Sequence, residues 1–263
     1  MDYFARTAVQ KGLNEKAQVN PALVIDGVWG GATKAALTKY QGVFKLPATG
    51  QYDAATQASL GPFLLQKYLS LESIQQAAKI LVVDPKIIVA VALAESSGSG
   101  FLQSGDCQIR FERHKMYASL LKKYGIAQTT KWANQYPNIV NASIGGYLGG
   151  QQEYSRLNQA MALDPGCAQQ STSWGMFQIM GFNYAAAGFP DVVSFVNAQK
   201  SSETAQLLSF VTFNQRYLDG VLMQPMRTLD WVKYATYYNG TGNVPEYSKR
   251  LTTYYGQAGN YLV

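Results

Sequence analysis

Metal-binding and disulfide-forming residues are scarce in this sequence. It contains one histidine, His114, and two cysteines, Cys107 and Cys167, among 263 residues. One histidine and two distant cysteines without CxxC spacing make a poor ligand set for zinc, so we predict no metal and no other cofactor. We expect the thiols to be free and buried rather than bonded, although the sequence leaves open whether they pair.

Long apolar runs are absent as well. The longest, Ile87–Ala94, is too short to span a bilayer, so we predict no stable membrane insertion. The first residues, Met1–Arg6, lack a cationic stretch followed by an apolar core, so no signal peptide is expected. On this basis we expect the protein to be made and kept in a cytoplasm unless something else releases it.

The net charge of +6 is not concentrated in any basic tail or run. This distribution argues against nucleic acid as a partner. An evenly spread positive field instead fits a large anionic surface, such as a bacterial envelope.

Residues 1–66 form a predicted small helical domain with an internal repeat. Asp26–Leu37 aligns with Thr49–Leu60, 23 residues later, and glycine, aromatic, threonine and leucine recur in step. Each copy predicts a glycine turn, an aromatic residue and the start of a helix, because glycine accepts the unusual angles of such turns. Gly61-Pro62 is expected to break the third helix. The linker is short and has no flexible tether, so we expect this domain to touch the next one, residues 72–263.

The repeat resembles the peptidoglycan-binding domain type 1 family, a three-helix wall-recognition module, over roughly residues 3–65. The resemblance implies bacterial peptidoglycan as a partner and places the ligand groove near the first turn and second helix. The candidate ligand contacts are then Asp26, Trp29, Thr33 and Tyr40. Two alternatives stay open: a helical bundle without a ligand, and a core position for Trp29.

The second domain is predicted to be mainly α-helical with minor β structure. Asp84-Pro85 is a favourable helix start, since a capping side chain precedes a proline in the first turn. The alternating segment 108–113 suggests a short strand. Helical spacing returns in five further segments: Arg113–Tyr124, Ile144–Met161, Phe177–Ala187, Glu203–Gly220 and Thr228–Tyr238.

Glu95 ends a nearly charge-free apolar helix and stands directly before the small residues Ser96–Gly100. Apolar surroundings and the partial negative charge of a helix C-terminus both favour the protonated form of a carboxyl group there. A carboxylic acid that keeps its proton near neutral pH can protonate a glycosidic oxygen. The alternative is a surface glutamate at a fraying helix end.

Three clusters follow the order found in the lysozyme-like glycosidase superfamily: Glu95–Gly98, Ser173–Met180 and Ala235–Gly240. Residues 84–255 are more closely similar to the phage and bacterial N-acetylmuramidase family of modular endolysins. The similarity is carried by Gly100–Leu102, Phe111–His114, Ser173–Tyr184 and Tyr238–Gly240. One departure concerns local loop geometry: Thr241–Val244 separates the last turn from Pro245, where proline is expected sooner.

The resemblance implies a peptidoglycan-degrading endolysin that lyses its bacterial host. Such an N-acetylmuramidase would cleave the β-1,4 bond from N-acetylmuramic acid to N-acetylglucosamine, with Glu95 as general acid. Glu112 is the best candidate for a second carboxylate, because neighbouring cations, Arg110 among them, favour its ionised form. Two alternatives remain: Glu112 as a salt-bridged support that only orders the site, and Asp106 as the second carboxylate.

Four further residues are candidates for substrate binding. The amides of Gln178 and Asn239 offer the donor and acceptor that match an N-acetyl group. Tyr238 can pack on the face of a sugar ring. Ser173 could line the cleft or cap a helix.

Two other functions remain possible from the sequence. A lytic transglycosylase of the same fold would leave 1,6-anhydromuramic ends, and a decayed relative would bind the wall without catalysis. For an endolysin, the missing signal predicts that the protein stays in the host bacterial cytoplasm until a holin or similar membrane lesion releases it to the periplasm and cell wall. A monomer is expected, because a wall-bound lytic enzyme needs no partner chain.

Overall fold

The computed structural model describes residues 1–263 and is mainly α-helical, with one small antiparallel sheet. The predicted fold class is confirmed. The first domain consists of α1 (Tyr3–Ala17), α2 (Gly31–Val43) and α3 (Ala54–Lys67). Helix α1 packs against both α2 and α3, and the three helices share a core with the second domain.

The sequence repeat corresponds to two glycine turns, each closed by a buried glutamine. Gln10 on α1 donates through Nε2 to Asp26 Oδ1 (2.9 Å) and accepts at Oε1 from Gly27 N (2.8 Å). Gln41 on α2 repeats this pattern, accepting from Gly50 N at 2.9 Å. Both glycines have positive φ, 71° and 65°. In each turn a glutamine side chain accepts from the glycine amide, so the two turns of the repeat are closed in the same way.

Helix α3 continues through Gly61-Pro62 to Lys67, so the predicted break at these residues is wrong. Pro62 and Ala58 both lie on the exposed side of α3. Water can therefore satisfy the Ala58 carbonyl, which loses its amide partner to the proline ring, and the helix tolerates the proline.

The second domain begins after a three-residue connection, Tyr68–Ser70. Its helices are α4 (Leu71–Leu81), α5 (Pro85–Ser96), α6 (Arg113–Gln135, interrupted at Gly125), α7 (Gln152–Leu163), α8 (Pro165–Gln170), α9 (Val192–Ser201), α10 (Glu203–Arg216), α11 (Met223–Arg227), α12 (Trp231–Tyr238) and α13 (Val244–Gln257). Helix α5 is central: all residues from Ile87 to Ala94 are buried, and α4 and α13 pack along it. As predicted, Pro85 begins this helix, and Asp84 caps it by accepting from Lys86 N (2.9 Å).

The sheet has the order β1 (Ile109–Phe111), β2 (Thr172–Trp174) and β3 (Ile179–Met180), all antiparallel. Arg110, Ser173 and Met180 are paired across it and share one face. The segment 108–113 is therefore a strand over only three residues, because helix α6 begins at Arg113.

Two predicted helices differ in the structure. Residues 177–187 form a turn, strand β3 and a short 3₁₀ helix (Gly181–Asn183), since the chain reverses at Gly175 and Gln178 with positive φ. In the segment 144–161, helix α7 starts only at Gln152. Four glycines before it, Gly145, Gly146, Gly149 and Gly150, all have positive φ, which an α-helix does not accommodate.

The two domains touch, as the short linker predicted. Tyr3 N donates to Val263 O (3.1 Å), and the rings of Tyr3 and Tyr261 meet edge to face at 4.7 Å. Cys107 and Cys167 are buried and free. None of the helices combines the length and the apolar character needed to cross a membrane.

Candidate active site

Glu95 occupies the last turn of α5, at the end of the buried stretch that forms the centre of the domain. The helix stops two residues later at Ser97, which adopts the left-handed conformation. The Tyr247 hydroxyl on α13 donates a hydrogen bond to Glu95 Oε1, and Arg250, one turn further along α13, donates to the Ala94 carbonyl. Helix α13 therefore fixes both the carboxyl group and the backbone that carries it.

The surroundings of Glu95 favour a proton on its carboxyl group. Burial raises the pKa of Glu95 to about 7, against the lowering effects of the Tyr247 hydrogen bond and of the positive charges of Arg110 and Arg250. The residue as a whole keeps partial access to solvent. A carboxyl group with these properties is mostly protonated just below neutral pH and can still reach a ligand.

Three tyrosines surround Glu95 on the helical side. Burial, with a contribution from the charge of Glu95, raises the pKa of Tyr234, Tyr238 and Tyr247 well above the usual range. Tyr234 and Tyr238 on α12 stack at 5.2 Å, and Tyr234 donates to Asn214 Oδ1 (3.1 Å). The three hydroxyls stay neutral and act as hydrogen-bond donors, and of the three only that of Tyr247 donates to Glu95.

The second sequence cluster forms a tight turn that the third cluster contacts directly. The Tyr238 hydroxyl donates to Phe177 O (2.7 Å). In the turn, Ser173 Oγ donates to Gln178 Oε1 (2.7 Å), and Gln178 Nε2 donates to Gly175 O (2.8 Å). The structure thus brings Glu95, Ser173, Gln178 and Tyr238 into one region. Trp174 and Phe177 are buried in the core.

Asn239 is exposed and ends α12, where it caps the helix through its backbone. Its side-chain amide has no hydrogen bond within the protein, in contrast to that of Gln178. Of the two amides predicted for substrate binding, Asn239 is therefore the one that is free to meet a ligand.

Glu112 lies directly after strand β1 and immediately before α6. Tyr147 donates to Glu112 Oε2 (2.7 Å), and burial, with the hydrogen bond and charge of Glu112, raises the pKa of Tyr147 to about 12. The Arg110 guanidinium lies 5.3 Å from the centre of the Tyr147 ring. The charge of Arg110 also lowers the pKa of Glu95, so it acts on both sides of the site.

The cations predicted around Glu112 divide into different roles. Arg113 faces away and donates to Ser143 O (2.9 Å) and Ile144 O (3.1 Å). His114 Nδ1 lies 3.3 Å from Glu112 Oε2, but burial lowers the pKa of His114, so the imidazole is neutral at pH 7. Of these three residues, Arg110 is therefore the one that supplies a positive charge on the Glu112 side of the site.

The loop that carries Tyr147 is anchored at its far end. Glu153, buried on α7, accepts from Leu148 N (2.6 Å) and Phe111 N (3.1 Å) and pairs with the buried Arg156 (2.8 Å). This ion pair ties the loop to strand β1, and hence to the segment that presents Arg110 and Glu112.

The four candidate residues of the first domain fall into two groups. Thr33 and Tyr40 are each 2% exposed. Thr33 Oγ1 donates to Val28 O (3.2 Å), and the Tyr40 hydroxyl bonds with Ser59 Oγ (2.8 Å), so both side chains are positioned to support the fold rather than to touch a ligand. Asp26 is exposed, while Trp29 is partly buried and meets Tyr52 edge to face at 6.5 Å.

Tyr247 is the main site residue that sequence reasoning missed. Its position in an amphipathic helix with Ser248 and Leu251 marks it as inward-facing. The chain contains 18 tyrosines, however, and nothing in the sequence shows which of them contacts the acid. Arg250 and Tyr147 were missed for the same reason, since both reach the site from segments far from Glu95 in the chain.

A mainly α-helical domain with a minor sheet and a carboxylic acid whose pKa is near 7 defines the class of lysozyme-like glycosidases. The chain belongs to the N-acetylmuramidase family, whose model matches residues 84–259. A second model, described as a putative peptidoglycan binding domain, matches residues 5–60.

One solved structure resembles almost the whole chain. It is the endolysin of a Burkholderia phage, AP3, with 36% sequence identity, 95% coverage of each chain and a TM-score of 0.64. A comparison with curated protein sequences gives no match. The predicted organisation as a modular endolysin is confirmed: the protein is a peptidoglycan-degrading glycoside hydrolase with a wall-binding domain before its catalytic domain. The boundaries 1–66 and 72–263 stay predictions.

Proposed function

We propose that the protein hydrolyses the β-1,4 bond from N-acetylmuramic acid to N-acetylglucosamine, with Glu95 as the general acid. The observation that carries this proposal is the environment of Glu95: burial raises its pKa to about 7, and Tyr247 holds one oxygen of its carboxyl group. An acid of this kind can deliver a proton at neutral pH.

The hydrogen bond from Tyr247 assigns a role to each oxygen of Glu95. Because Tyr247 donates to Oε1, the proton of the acid belongs on Oε2, which delivers it to the glycosidic oxygen. The carboxylate that remains is stabilised by Tyr247 and by the positive charges of Arg110 and Arg250. Proton transfer of this kind typically contributes about 10²–10⁴ in rate.

Glu112 is proposed as the second carboxylate, which stabilises the positive charge on the muramic ring or activates water. Tyr147 occupies Oε2 of Glu112 and leaves Oε1 for a water molecule or the sugar. The same contacts, with His114 at 3.3 Å, also suit a support that only orders the site. Substitution of Glu112 separates these roles.

Among the candidate substrate contacts, we propose that Asn239 binds an N-acetyl group through its free amide. Tyr238 would present its ring to the sugar, since its hydroxyl is used by Phe177 O (2.7 Å). Ser173 and Gln178, which bond to each other, would shape the floor of the cleft.

Mass spectrometry of digested cell wall tests the reaction. The proposal predicts reducing muramic ends from the wild-type protein, whereas 1,6-anhydro ends would assign it to the lytic transglycosylases. Glu112→Gln should lower turnover on the same substrate. If turnover were unchanged, Glu112 would be a support or dispensable.

In the first domain, we propose that Asp26 and Trp29 contact peptidoglycan, with Thr33 and Tyr40 supporting them from inside. Asp26→Asn should weaken binding to isolated sacculi in a sedimentation assay. Asp53→Asn is the matched control, because Asp53 is a partly exposed carboxylate at the second turn of the repeat, where it caps α3. Equal binding by both variants and the wild type would contradict the assignment.

We also propose that the protein acts as a monomer and reaches the wall from the host cytoplasm through a holin-type lesion. The monomer is proposed because a wall-bound lytic enzyme has no evident need of a partner chain. Light scattering on the purified protein tests its mass. Cytoplasmic expression with and without a holin tests release, and lysis without a holin would contradict this route.

A further inference from the structure

Glu203, the first residue of α10, is a buried carboxylate that joins three parts of the chain. Its side chain is 1% exposed. Oε1 accepts from Lys11 Nζ (2.7 Å) and from Gly100 N (3.0 Å), and Oε2 accepts from Leu69 N (3.1 Å). Helix α1 of the wall-binding domain, the connection between domains and the loop after Glu95 therefore meet at one side chain.

Gln206, one turn later on α10, holds the same loop from its other side. Its Nε2 donates to Gly100 O (3.3 Å), and its Oε1 accepts from Met176 N (2.8 Å). A Cβ at Gly100 would lie 1.9 Å from Gln206 Oε1, so only glycine fits at this contact. The start of α10 thus fixes the loop after Glu95 relative to the turn that contains Gln178.

A buried carboxylate is stable in its charged form only when cations and hydrogen bonds compensate it. Lys11 supplies the only ion pair of Glu203, and it comes from the other domain. Removal of Lys11 leaves this buried carboxylate without a compensating charge, which destabilises the arrangement that holds the Gly100 and Leu69 amides.

We propose that Lys11 is a positioning residue for the catalytic site: through Glu203 it holds the loop 96–100 in place, so the wall-binding domain contributes to turnover as well as to wall binding. This inference rests on the proposed role of Glu95. By this inference the wall-binding domain does more than a tether, which would raise only the local concentration of substrate.

The test is Lys11→Met, assayed on short, soluble, uncrosslinked glycan strands. We expect kcat to fall about fivefold or more, as displaced catalytic groups predict, with KM little changed. Binding to sacculi should be unchanged, because the Lys11 side chain bonds to Glu203 of the other domain and not to Asp26 or Trp29. Lys11→Arg should restore kcat, since it restores the ion pair.

Lys67→Met is the matched control. Lys67 also makes a largely buried ion pair, with Glu15 at 2.8 Å. In the second domain it contacts Gly105 O (3.1 Å) and the Phe101 ring (4.5 Å), which lie outside the loop 96–100. Its kcat should stay within about twofold of the wild type. Thermal denaturation of both variants sets an assay temperature at which each is folded, and Lys11→Gln replaces Lys11→Met if the latter does not fold.

A wild-type kcat in Lys11→Met, or an equal fall in Lys67→Met, would overturn the inference. Failure of the proposed function looks different: Glu95→Gln would then turn over the same soluble strands at the wild-type rate, whatever the result for Lys11.

Discussion

The two sides of the active site are built in different ways. Glu95 stands on a helix whose neighbours are apolar or aromatic, and α12 and α13 enclose it. Glu112 stands at a strand-to-helix junction, and its partner Tyr147 is 42% exposed on a loop rich in glycine. The residue that needs an unusual pKa thus lies on the rigid, buried side. The open side holds Glu112, the proposed second carboxylate, which is partly exposed to solvent.

The loop side nevertheless has defined anchors. Arg113 binds two carbonyls at its start, and Glu153 binds the Leu148 amide at its end. Between them, Gly145 and Gly146 adopt positive φ. We expect motion to be confined to the few residues around Tyr147, which can adapt to the substrate while Glu95 stays fixed.

The largest expected effect is on the helical side. Glu95→Gln keeps the volume of the side chain and its hydrogen bond from Tyr247, but removes the proton. Lysis of permeabilised Gram-negative cells should fall by about 10²–10⁴, while wall binding and the circular dichroism spectrum stay unchanged. Lysis at the wild-type rate would contradict the role of Glu95 as the acid on the helical side of the site.

The same substitution should change stability in a pH-dependent manner. The folded protein holds the Glu95 proton with a pKa of about 7, above the ordinary value of 4.5. The raised pKa therefore stabilises the folded wild type fully below pH 4.5, and this stabilisation is lost as the pH rises through 7. Glutamine does not titrate, so the variant does not lose stability in this way. Relative to the wild type, Glu95→Gln should gain about 1–3 kcal/mol in unfolding free energy between pH 4 and pH 8.

Urea unfolding at the two pH values measures this gain. Glu246→Gln, at an exposed position near the start of α13, is the control and should show no comparable difference. A Glu95→Gln variant that gains nothing at pH 8 would mean that the carboxyl group is not stabilised in its protonated form.

On the loop side, Tyr147→Phe removes the hydroxyl that donates to Glu112. If Glu112 takes part in the reaction, kcat should fall by up to about tenfold, corresponding to about 1.4 kcal/mol, because one hydrogen bond to a charged group is lost. Steady-state kinetics on soluble strands measure this. In a Glu112→Gln background the additional loss should be smaller, and a full loss there would show that Tyr147 acts independently.

The smallest effect is expected from Tyr247→Phe and appears in the pH profile. The Tyr247 hydrogen bond lowers the pKa of Glu95, so its removal raises that pKa further and keeps the acid protonated to higher pH. The alkaline limb of kcat/KM should move upward by about one pH unit or less. Tyr254→Phe, on the same helix, should leave the limb in place, and a downward shift in Tyr247→Phe would contradict the assignment.

Local patterns predicted much of this molecule. Glu95 was located from three local features: the helix start at Asp84-Pro85, the apolar run after it and the small residues Ser96–Gly100 that end it. The repeated turns were located from the spacing of Gly27 and Gly50. Tyr247 and Tyr147 could not be found, because their contacts join segments 152 and 35 residues apart in the chain. The helix predicted at 177–187 is not formed, because tertiary packing and the positive φ of Gln178 override the apolar spacing.

The three-residue connection at Tyr68–Ser70 has a consequence for protein engineering. Here Leu69 within the connection and Lys11 beyond it both end on Glu203. A replacement domain therefore has to supply a cation at that position, or the chimera will start with a weakened catalytic half.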